Sequence, residues 1–439
     1  MKRICLFTIF ISCALCAFAQ ESMTLKQCIE AGLANNYSIR IVRNDEQIAR
    51  NKATAGNAGY LPTIDLSGGL NGTLYDYNYR YADGSSDKVS SNNSETANIG
   101  VNLSWTLFDG FGIQANYARL KELQSMGELN TRLSIEDLVA DITAVYHSLI
   151  RQQIRLRILQ SAVNLSRERL RIVADRYNIG MTSLLELNQA EAYFNADSSG
   201  LISHVETVYA TTVSLGTLMA SDPDFLISIK DSIISFNPLL DKDQLWADLL
   251  LHNTSLLLSQ KNKTLSEIDY KRVASRNYPY VRLNGGYGYT SNWYSVGNTD
   301  MQQRLGLNYG VTVGFTLFDG FNRRREQKNA QIQINNSELR MQNIELVLKD
   351  NFSKFWKAYQ NNLELWSLEK ENLSVAEMTH SAAMERYRLG ELSGIELREA
   401  QNTLLQAKER LSIAEYNTKL CEISLLQMSG QIMTYLYPD

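Results

Sequence analysis

The hexapeptide Thr-Leu-Phe-Asp-Gly-Phe occurs twice in this chain, at residues 106–111 and again at residues 316–321. A second pair of similar stretches follows at the same offset, because RYNIGMTSLLELNQA begins at Arg176 and RYRLGELSGIELREA begins at Arg386. Self-similarity at a fixed offset is the sequence signature of an internal repeat. The chain of 439 residues is therefore predicted to contain two copies of one structural unit.

Apolar and polar residues alternate in the segments that precede each hexapeptide. Alternation with a period of two predicts strands that have one apolar face, and each copy should contain one pair of them. The serine- and asparagine-rich stretch between Asp76 and Thr96 is expected to be the exposed turn of the first pair. The alternating apolar positions are Ile64, Leu66, Leu70, Leu74, Ile99, Val101, Leu103, Trp105, Leu107, Val281, Leu283, Tyr287, Tyr289, Leu305, Leu307, Tyr309, Val311, Val313, Phe315 and Leu317.

Each hexapeptide is predicted to join a strand to a long helix. Apolar residues at three- and four-residue spacing, without proline, follow it for about 70 residues in both copies. In the first copy, Phe108 should end a strand with an aromatic side chain at a membrane interface, and Asp109 should cap the helix. Phe318 and Asp319 are expected to make the same transition in the second copy.

Both long helices are expected to stop at a glycine. Gly180 and Gly390 are typical of a helix end in the left-handed conformation. Ser183 and Ser393 follow as N-caps of a second helix, and each has a glutamate three residues later, which completes the pattern of a capping box. The repetition predicts a helical hairpin in each copy.

The N-terminus predicts export. Lys2 and Arg3 precede an apolar run from Ile4 to Phe18 that ends in a small-residue cleavage site, which is typical of a secretory signal. No later apolar run is long enough for a membrane helix, so a membrane span would consist of strands. The predicted organisation is a signal peptide at 1–19, a first repeat at 20–220 with a hairpin at 60–108, an equatorial linker at 221–240, a second repeat at 241–430 with a hairpin at 278–318, and a tail at 431–439.

Composition excludes several classes of function. The formal net charge is -4 and no block of like charges occurs, so no nucleic-acid partner is expected. Three of the five cysteines lie in the predicted signal, which leaves Cys28 and Cys421 either paired or as two buried thiols. The histidines are isolated, and neither a nucleophile elbow nor a phosphate loop occurs. We therefore expect no enzyme activity, no cofactor and no metal site.

Strand number predicts the oligomeric state. Four strands cannot close a membrane barrel, and open sheet edges are not tolerated in lipid. Chains must share one barrel, and a trimer with twelve strands leaves room for a channel, whereas a dimer with eight does not. The predicted fold is α+β: a homotrimeric twelve-stranded outer-membrane β-barrel, with four strands per chain, that continues into a long periplasmic α-helical barrel.

These features together resemble the TolC-type outer-membrane efflux protein family over the whole exported chain. The resemblance rests on the tandem halves, on Tyr60-Leu61-Pro62 before the first strand, on LFDG after each strand pair and on both RYxxG turns. It implies a homotrimer in contact with outer-membrane lipid that is a passive exit duct of a tripartite efflux system. The implied partners are a periplasmic adaptor (membrane fusion) protein and an inner-membrane transporter.

The resemblance also implies roles for residues of the helical turns at a periplasmic tip. Glu396 and Glu399 fall where some members place a constricting acidic ring. Glu186 and Tyr387 fall where one member links neighbouring hairpins to hold the tip shut, although Leu392 replaces an arginine of that lock. Capping alone is the alternative explanation for the glutamates that occupy capping boxes.

Two other functions remain open at this stage. A duct of a type I protein secretion system would differ from an efflux duct only in its partner and cargo. A structural periplasmic coiled-coil protein would explain the helices, but it would not explain strand pairs with one apolar face.

Overall fold

The computed structural model describes residues 22–222 and 227–435. The predicted signal peptide lies outside the described residues, as do part of the predicted linker and the end of the predicted tail. The chain divides into two compact units, which are described separately. The first comprises the residues up to Asn44, Leu129–Leu257 and the residues from Asn343 on, and the second comprises Asp45–Glu128 and Leu258–Gln342.

Helices account for most of the described chain, and those of the two predicted repeats follow a similar order. Among the described residues, no helix is both long enough and apolar enough to cross a membrane. The helices are α1 (Leu25–Asn35), α2 (Tyr37–Lys52), α3 (Ala55–Ala58), α4 (Gly112–Asn178), α5 (Leu184–Leu218), α6 (Lys242–His252), α7 (Thr254–Ala274), α8 (Asn322–Leu389) and α9 (Gly394–Met428).

The second unit contains an antiparallel sheet of four strands. The strands are β1 (Thr63–Arg80), β2 (Ser86–Phe108), β3 (Tyr280–Tyr294) and β4 (Met301–Gly314), and they lie in the order β1-β2-β3-β4. The central pair, β2 and β3, joins the two predicted repeats, with Gly100 opposite Gly288. A Cβ at Gly100 would lie 3.1 Å from the Gly288 Cα, so a side chain there would require the paired backbone to shift. Among the described residues, β1 and β4 each have one unpaired edge.

The apolar side chains of the sheet are exposed. Leu66 on β1 is 73% exposed and Leu307 on β4 is 69% exposed, and the alternating neighbours on both strands are similar. A sheet in a water-soluble domain usually buries its apolar face against a second layer. Within residues 22–222 and 227–435, nothing covers the apolar residues of β1 and β4, so they face the surroundings of the single chain.

The serine- and asparagine-rich stretch is not the turn that its composition predicted. Strands β1 and β2 continue through it as a paired ladder, and only residues 81–85 connect them. A bulge between Tyr75 and Tyr77 admits Asp76, whose Oδ1 accepts a hydrogen bond from Ser91 N at 2.7 Å. Backbone hydrogen bonds pair the two strands here although apolar and polar residues do not alternate. The polar composition therefore predicted a turn where the strands continue.

The long helices begin three residues after the aspartates that were expected to cap them. In the first copy, Gly110 and Phe111 both have positive φ, at 73° and 71°, so the chain turns before α4 begins. Asp109 Oδ1 still accepts a hydrogen bond from Ile113 N at 3.0 Å. The carboxylate thus satisfies one of the free N–H groups of the first helical turn.

The second copy repeats this turn but not the strand before it. Gly320 and Phe321 have φ of 68° and 61°, and Asp319 Oδ2 accepts a hydrogen bond from Arg323 N at 2.9 Å. The prediction that Phe318 ends a strand is wrong, because β4 ends at Gly314. Gly314 pairs with the first residue of β3, so the edge strand has no partner beyond it.

The core of the first unit is apolar and holds both remaining cysteines. Among its fully buried side chains are Ile142, Tyr146 and Leu149 of α4. Cys28 and Cys421 are buried in the same cluster as free thiols. Burial raises the pKa of the Cys28 thiol to about 12, and burial also raises the pKa of Cys421. Both are therefore inert thiols, since reaction requires the thiolate.

We expect neither thiol to react with a disulfide reagent in the folded protein at pH 8, and both to react after denaturation. The protein used would lack residues 1–19, so that Cys28 and Cys421 are its two cysteines. Release of thionitrobenzoate would be followed in native buffer and in guanidinium. Failure to release two equivalents from the denatured, unreduced chain would show that the two cysteines are paired.

Candidate functional site

The two helical hairpin turns lie together in the first unit. Each preceding helix is followed by a glycine with positive φ, 74° at Gly180 and 83° at Gly390. The N-cap of α5 is Ser183, whose hydroxyl accepts a hydrogen bond from Glu186 N at 3.3 Å. Ser393 is the N-cap of α9 and binds the N–H three residues later in the same way. The sequence thus folds locally into two similar turns.

The glutamates of the two turns differ in what they bind. Glu396 completes a capping box, since its Oε2 accepts hydrogen bonds from Ser393 N at 3.0 Å and from Ser393 Oγ at 2.7 Å. These bonds hold the pKa of Glu396 below its usual range. Glu186 does not complete the box that its sequence predicted, because its carboxylate accepts from the Thr182 hydroxyl instead. The second turn has Leu392 at that position, which offers no competing hydroxyl.

Because Glu186 does not close a capping box, its carboxylate faces the other hairpin. A side chain at Gly394 would place its Cβ 3.2 Å from Glu186 Oε1 and 4.0 Å from Tyr387 Oη, so both groups approach the start of α9. Tyr387 is fully buried, and its hydroxyl has no hydrogen-bond partner. Burial raises the pKa of Tyr387 and keeps the phenol protonated. The structure thus brings these two predicted residues to one place without a hydrogen bond between them.

Arg176 joins the hairpins at the same level. Its Nη2 donates to the backbone oxygen of Tyr387 at 2.9 Å, and its guanidinium lies 4.9 Å from the centre of the Tyr387 ring. A cation over an aromatic face is attracted by the ring quadrupole. Arg176, from the RY motif of the first copy, therefore contacts Tyr387, from the RY motif of the second copy.

A second connection, which the sequence did not indicate, lies further from the turns. Arg398 donates to both carboxylate oxygens of Asp197, at 2.7 and 2.8 Å, in a bidentate ion pair. The two side chains are only 15% and 12% exposed, so water screens this pair little. The hydrogen bond to Asp197 raises the pKa of Arg398. In the sequence, Arg398 belongs to the second turn motif, but the motif assigns no role to it.

A cavity of about 320 Å³ lies between the two turns. Its lining combines residues of both hairpins, including both N-cap serines and the starts of α5 and α9. Several titratable side chains line it, among them two arginines and one glutamate. These side chains include Arg169, Arg176, Glu186 and Tyr387.

The two glutamates that were predicted to form an acidic ring lie on a different face. Glu396 and Glu399 are exposed on α9 and line a separate recess of about 580 Å³ together with Arg386. Their spacing of three residues places both carboxylates on one side of the helix. In the single chain they make no contact with Glu186 across the cavity, so the two predicted groups of tip residues are separate.

Comparison with known proteins agrees with this architecture. The sequence model of the outer membrane efflux protein family matches residues 28–219 and 245–431. Outer membrane protein TolC of Vibrio cholerae is 21% identical, over 98% of this chain and 96% of that protein. The crystal structure of VceC from Vibrio cholerae superposes with a TM-score of 0.75 at 16% identity, covering 92% of this chain and 96% of that one. CmeC of Campylobacter jejuni gives 0.76 at 17%, covering 93% and 85%.

The chain belongs to the outer membrane efflux protein family, because the family match spans most of its length. This is a family of transport channels and not of enzymes. The predicted efflux function and the location in the outer membrane with extension into the periplasm are confirmed. The mostly helical fold with an antiparallel sheet is confirmed as well.

We expect the Arg398–Asp197 pair to stabilise the contact between hairpins. Replacing Arg398 by alanine leaves a carboxylate that is mostly buried without its partner, which should cost about 3 kcal/mol of the free energy of unfolding. Equilibrium urea unfolding in detergent would measure this cost.

The matched control is Arg171→Ala on α4, which removes an exposed pair with Glu168 and should cost less than about 1 kcal/mol. Equal losses in the two variants would contradict a special role for the Arg398–Asp197 pair.

Proposed function

We propose that three copies of this chain form one passive exit duct, with a twelve-stranded barrel in the outer membrane and a helical barrel in the periplasm. The observation that carries the proposal is the uncovered apolar face of a four-stranded sheet that has two unpaired edges. Such a sheet is stable in lipid only when its edges are paired, because unpaired backbone groups there cost several kcal/mol each. Edge β1 of one copy would pair with edge β4 of the next.

The opposite face of the sheet suits a water-filled lumen. Between the apolar positions, the strands carry small or polar side chains such as Ser67, Asn102 and Asn308. Asn102 Nδ2 donates to Ser67 Oγ at 2.8 Å, so neighbouring strands already share polar contacts on that face. Twelve strands leave an open lumen, whereas eight would be filled by side chains. This supports three copies in preference to two.

The duct has no catalytic role in this proposal, and transport energy comes from partners. These are a periplasmic adaptor and an inner-membrane transporter, the partners that the sequence resemblance implied. The alternative of a structural periplasmic coiled-coil protein leaves the apolar face of the sheet without a covering layer. It is therefore less consistent with the fold.

The hairpin turns form the periplasmic entrance in this proposal. Three copies would bring six carboxylates from Glu396 and Glu399 around a narrow opening and raise the local concentration of cations. Glu186 and Tyr387 would hold neighbouring hairpins together in the closed state. The junction residues Phe108, Asp109, Phe318 and Asp319 would mark the change from membrane to periplasm.

We expect the purified protein to contain three chains per particle in detergent-corrected light scattering, and to insert as one channel per particle in a planar bilayer. A stable monomer that gives no conductance would contradict the proposal.

A matched pair of variants separates lipid contact from general damage. Leu307 and Asn308 are neighbours on β4 that point to opposite faces. Leu307→Lys places a charge toward lipid, at a cost of about 2–4 kcal/mol near the midplane, and should prevent insertion. Asn308→Lys places the same charge toward the lumen and should still insert.

We further expect Glu396→Gln combined with Glu399→Gln to reduce cation selectivity and to weaken block by divalent cations in single-channel recordings. Removal of the carboxylates lowers the local cation concentration at the entrance. The control is Glu391→Gln, which neutralises an exposed glutamate near the second turn. If the double variant and the control conduct alike, these glutamates act only as helix caps and surface charges.

A further inference from the structure

The cavity between the hairpin turns receives two helix N-termini. Helices α5 and α9 are each 35 residues long, and their caps Ser183 and Ser393 both line the cavity. The first four N–H groups of a helix lack partners within it, and each serine hydroxyl satisfies one of them. Aligned peptide dipoles add partial positive charge at such an end. Two helix ends at one cavity add partial positive charge from the backbone, of which the Glu396 carboxylate at the start of α9 offsets a part.

Two buried side chains of the same lining have donors without acceptors. Arg169 is only 5% exposed, and its Nη1 has no hydrogen-bond partner. Tyr387 is fully buried, and its hydroxyl also has none. Leaving a buried donor unsatisfied costs about 1–3 kcal/mol, and more when the group is charged. Two such donors that line one cavity indicate a ligand that accepts hydrogen bonds.

The charges of the lining also favour an anion. Arg169 and Arg176 contribute two positive charges, and Glu186 contributes one negative charge. The Glu186 carboxylate is held by the Thr182 hydroxyl and does not reach either unsatisfied donor. Asp197, the nearby carboxylate that could neutralise Arg169, forms its bidentate pair with Arg398 instead. A net positive charge therefore remains beside the cavity.

The buried guanidinium of Arg169 has one favourable contact, with an aromatic ring, and this contact positions it. Its guanidinium lies 4.7 Å from the centre of the Tyr193 ring, and Arg398 lies 5.1 Å from the same ring. Burial and the neighbouring Arg398 lower the pKa of Arg169, although an arginine remains charged at neutral pH. The ring orients the guanidinium but supplies no acceptor for its N–H groups.

We propose that this cavity is a binding site for a small oxyanion of the phosphate or sulfate class. The anion would accept hydrogen bonds from Arg169 Nη1 and Tyr387 Oη and would lie at the N-termini of α5 and α9. Oxyanions offer several acceptors and no obligatory donor, which matches the two buried unsatisfied groups of the lining, Arg169 Nη1 and Tyr387 Oη, because both can donate. A volume of about 320 Å³ accommodates such an ion together with water.

The effect of a bound anion on the channel rests on the proposed function, whereas binding itself does not. Because the site takes residues from both hairpins, a bound anion should favour the arrangement in which the turns lie together. Binding of a ligand to one arrangement shifts the population toward it. The open-channel fraction at a fixed voltage should then fall as phosphate is added.

The test uses the full-length protein purified in detergent, with inorganic phosphate as the probe. Binding would be measured by isothermal titration calorimetry against a chloride background of equal ionic strength, and we expect one phosphate per chain. Tyr387→Phe removes only the hydroxyl and should weaken binding several-fold. Arg169→Gln removes the charge and should weaken it at least about tenfold, in keeping with a lost charged hydrogen bond.

Two controls make the result specific. Arg171→Gln removes an exposed arginine of the same helix and should bind phosphate as the unaltered protein does. Gly394→Ala adds a methyl group next to Glu186 and Tyr387 and should weaken binding while every charge is retained. Circular dichroism in chloride would show that each variant is folded, and Tyr387→Phe carries the test if Arg169→Gln is not.

The proposal is overturned if phosphate does not bind, or if Arg169→Gln and Tyr387→Phe bind it as tightly as Arg171→Gln does. These outcomes are independent of whether the protein is a trimer or conducts ions. Failure of the anion site can therefore be distinguished from failure of the proposed duct.

Discussion

Backbone pairing at the two open edges of the sheet is the constraint from which the proposed assembly follows. Strands β1 and β4 expose apolar side chains and each leaves one edge unpaired. In water such edges lead to aggregation, and in lipid they are not tolerated at all. A closed ring of several copies satisfies both the apolar face and the edges at once. In the proposed assembly, closure into a ring thus follows from the strand chemistry and needs no separate contact surface to explain it.

The two predicted repeats differ where their structural neighbours differ. Phe108 remains in a strand because Val281 pairs with it, whereas the equivalent Phe318 follows an edge strand whose partner has ended. In the turns, Thr182 captures the carboxylate of Glu186, whereas Leu392 leaves Glu396 free to close its capping box. Nearly identical local sequences therefore acquire different roles from a single changed side chain or a missing partner.

Sequence patterns predicted those features that depend on neighbours in the chain. The glycine stops at Gly180 and Gly390, the serine caps and the alternating strands follow from local conformational preference and from periodicity. The Arg398–Asp197 pair could not be predicted, because its partners are far apart in the chain and no periodic pattern connects them. The continuation of β1 and β2 through a polar stretch was also missed. Backbone hydrogen bonds maintain this strand pairing, and they do not depend on amino-acid composition.

The contacts between the hairpins differ in kind from the core of the first unit. That core is a large apolar cluster around residues such as Tyr146 and Leu149, in which displacement of any member would leave a cavity. The hairpins instead meet through the Arg398–Asp197 ion pair, through Arg176 on Tyr387 and around a polar cavity. The groups that line the polar cavity can exchange a protein partner for water or an ion at modest cost, whereas the mostly buried Arg398–Asp197 pair cannot. Movement at an entrance would therefore concentrate in the turns, while the apolar core retains one arrangement.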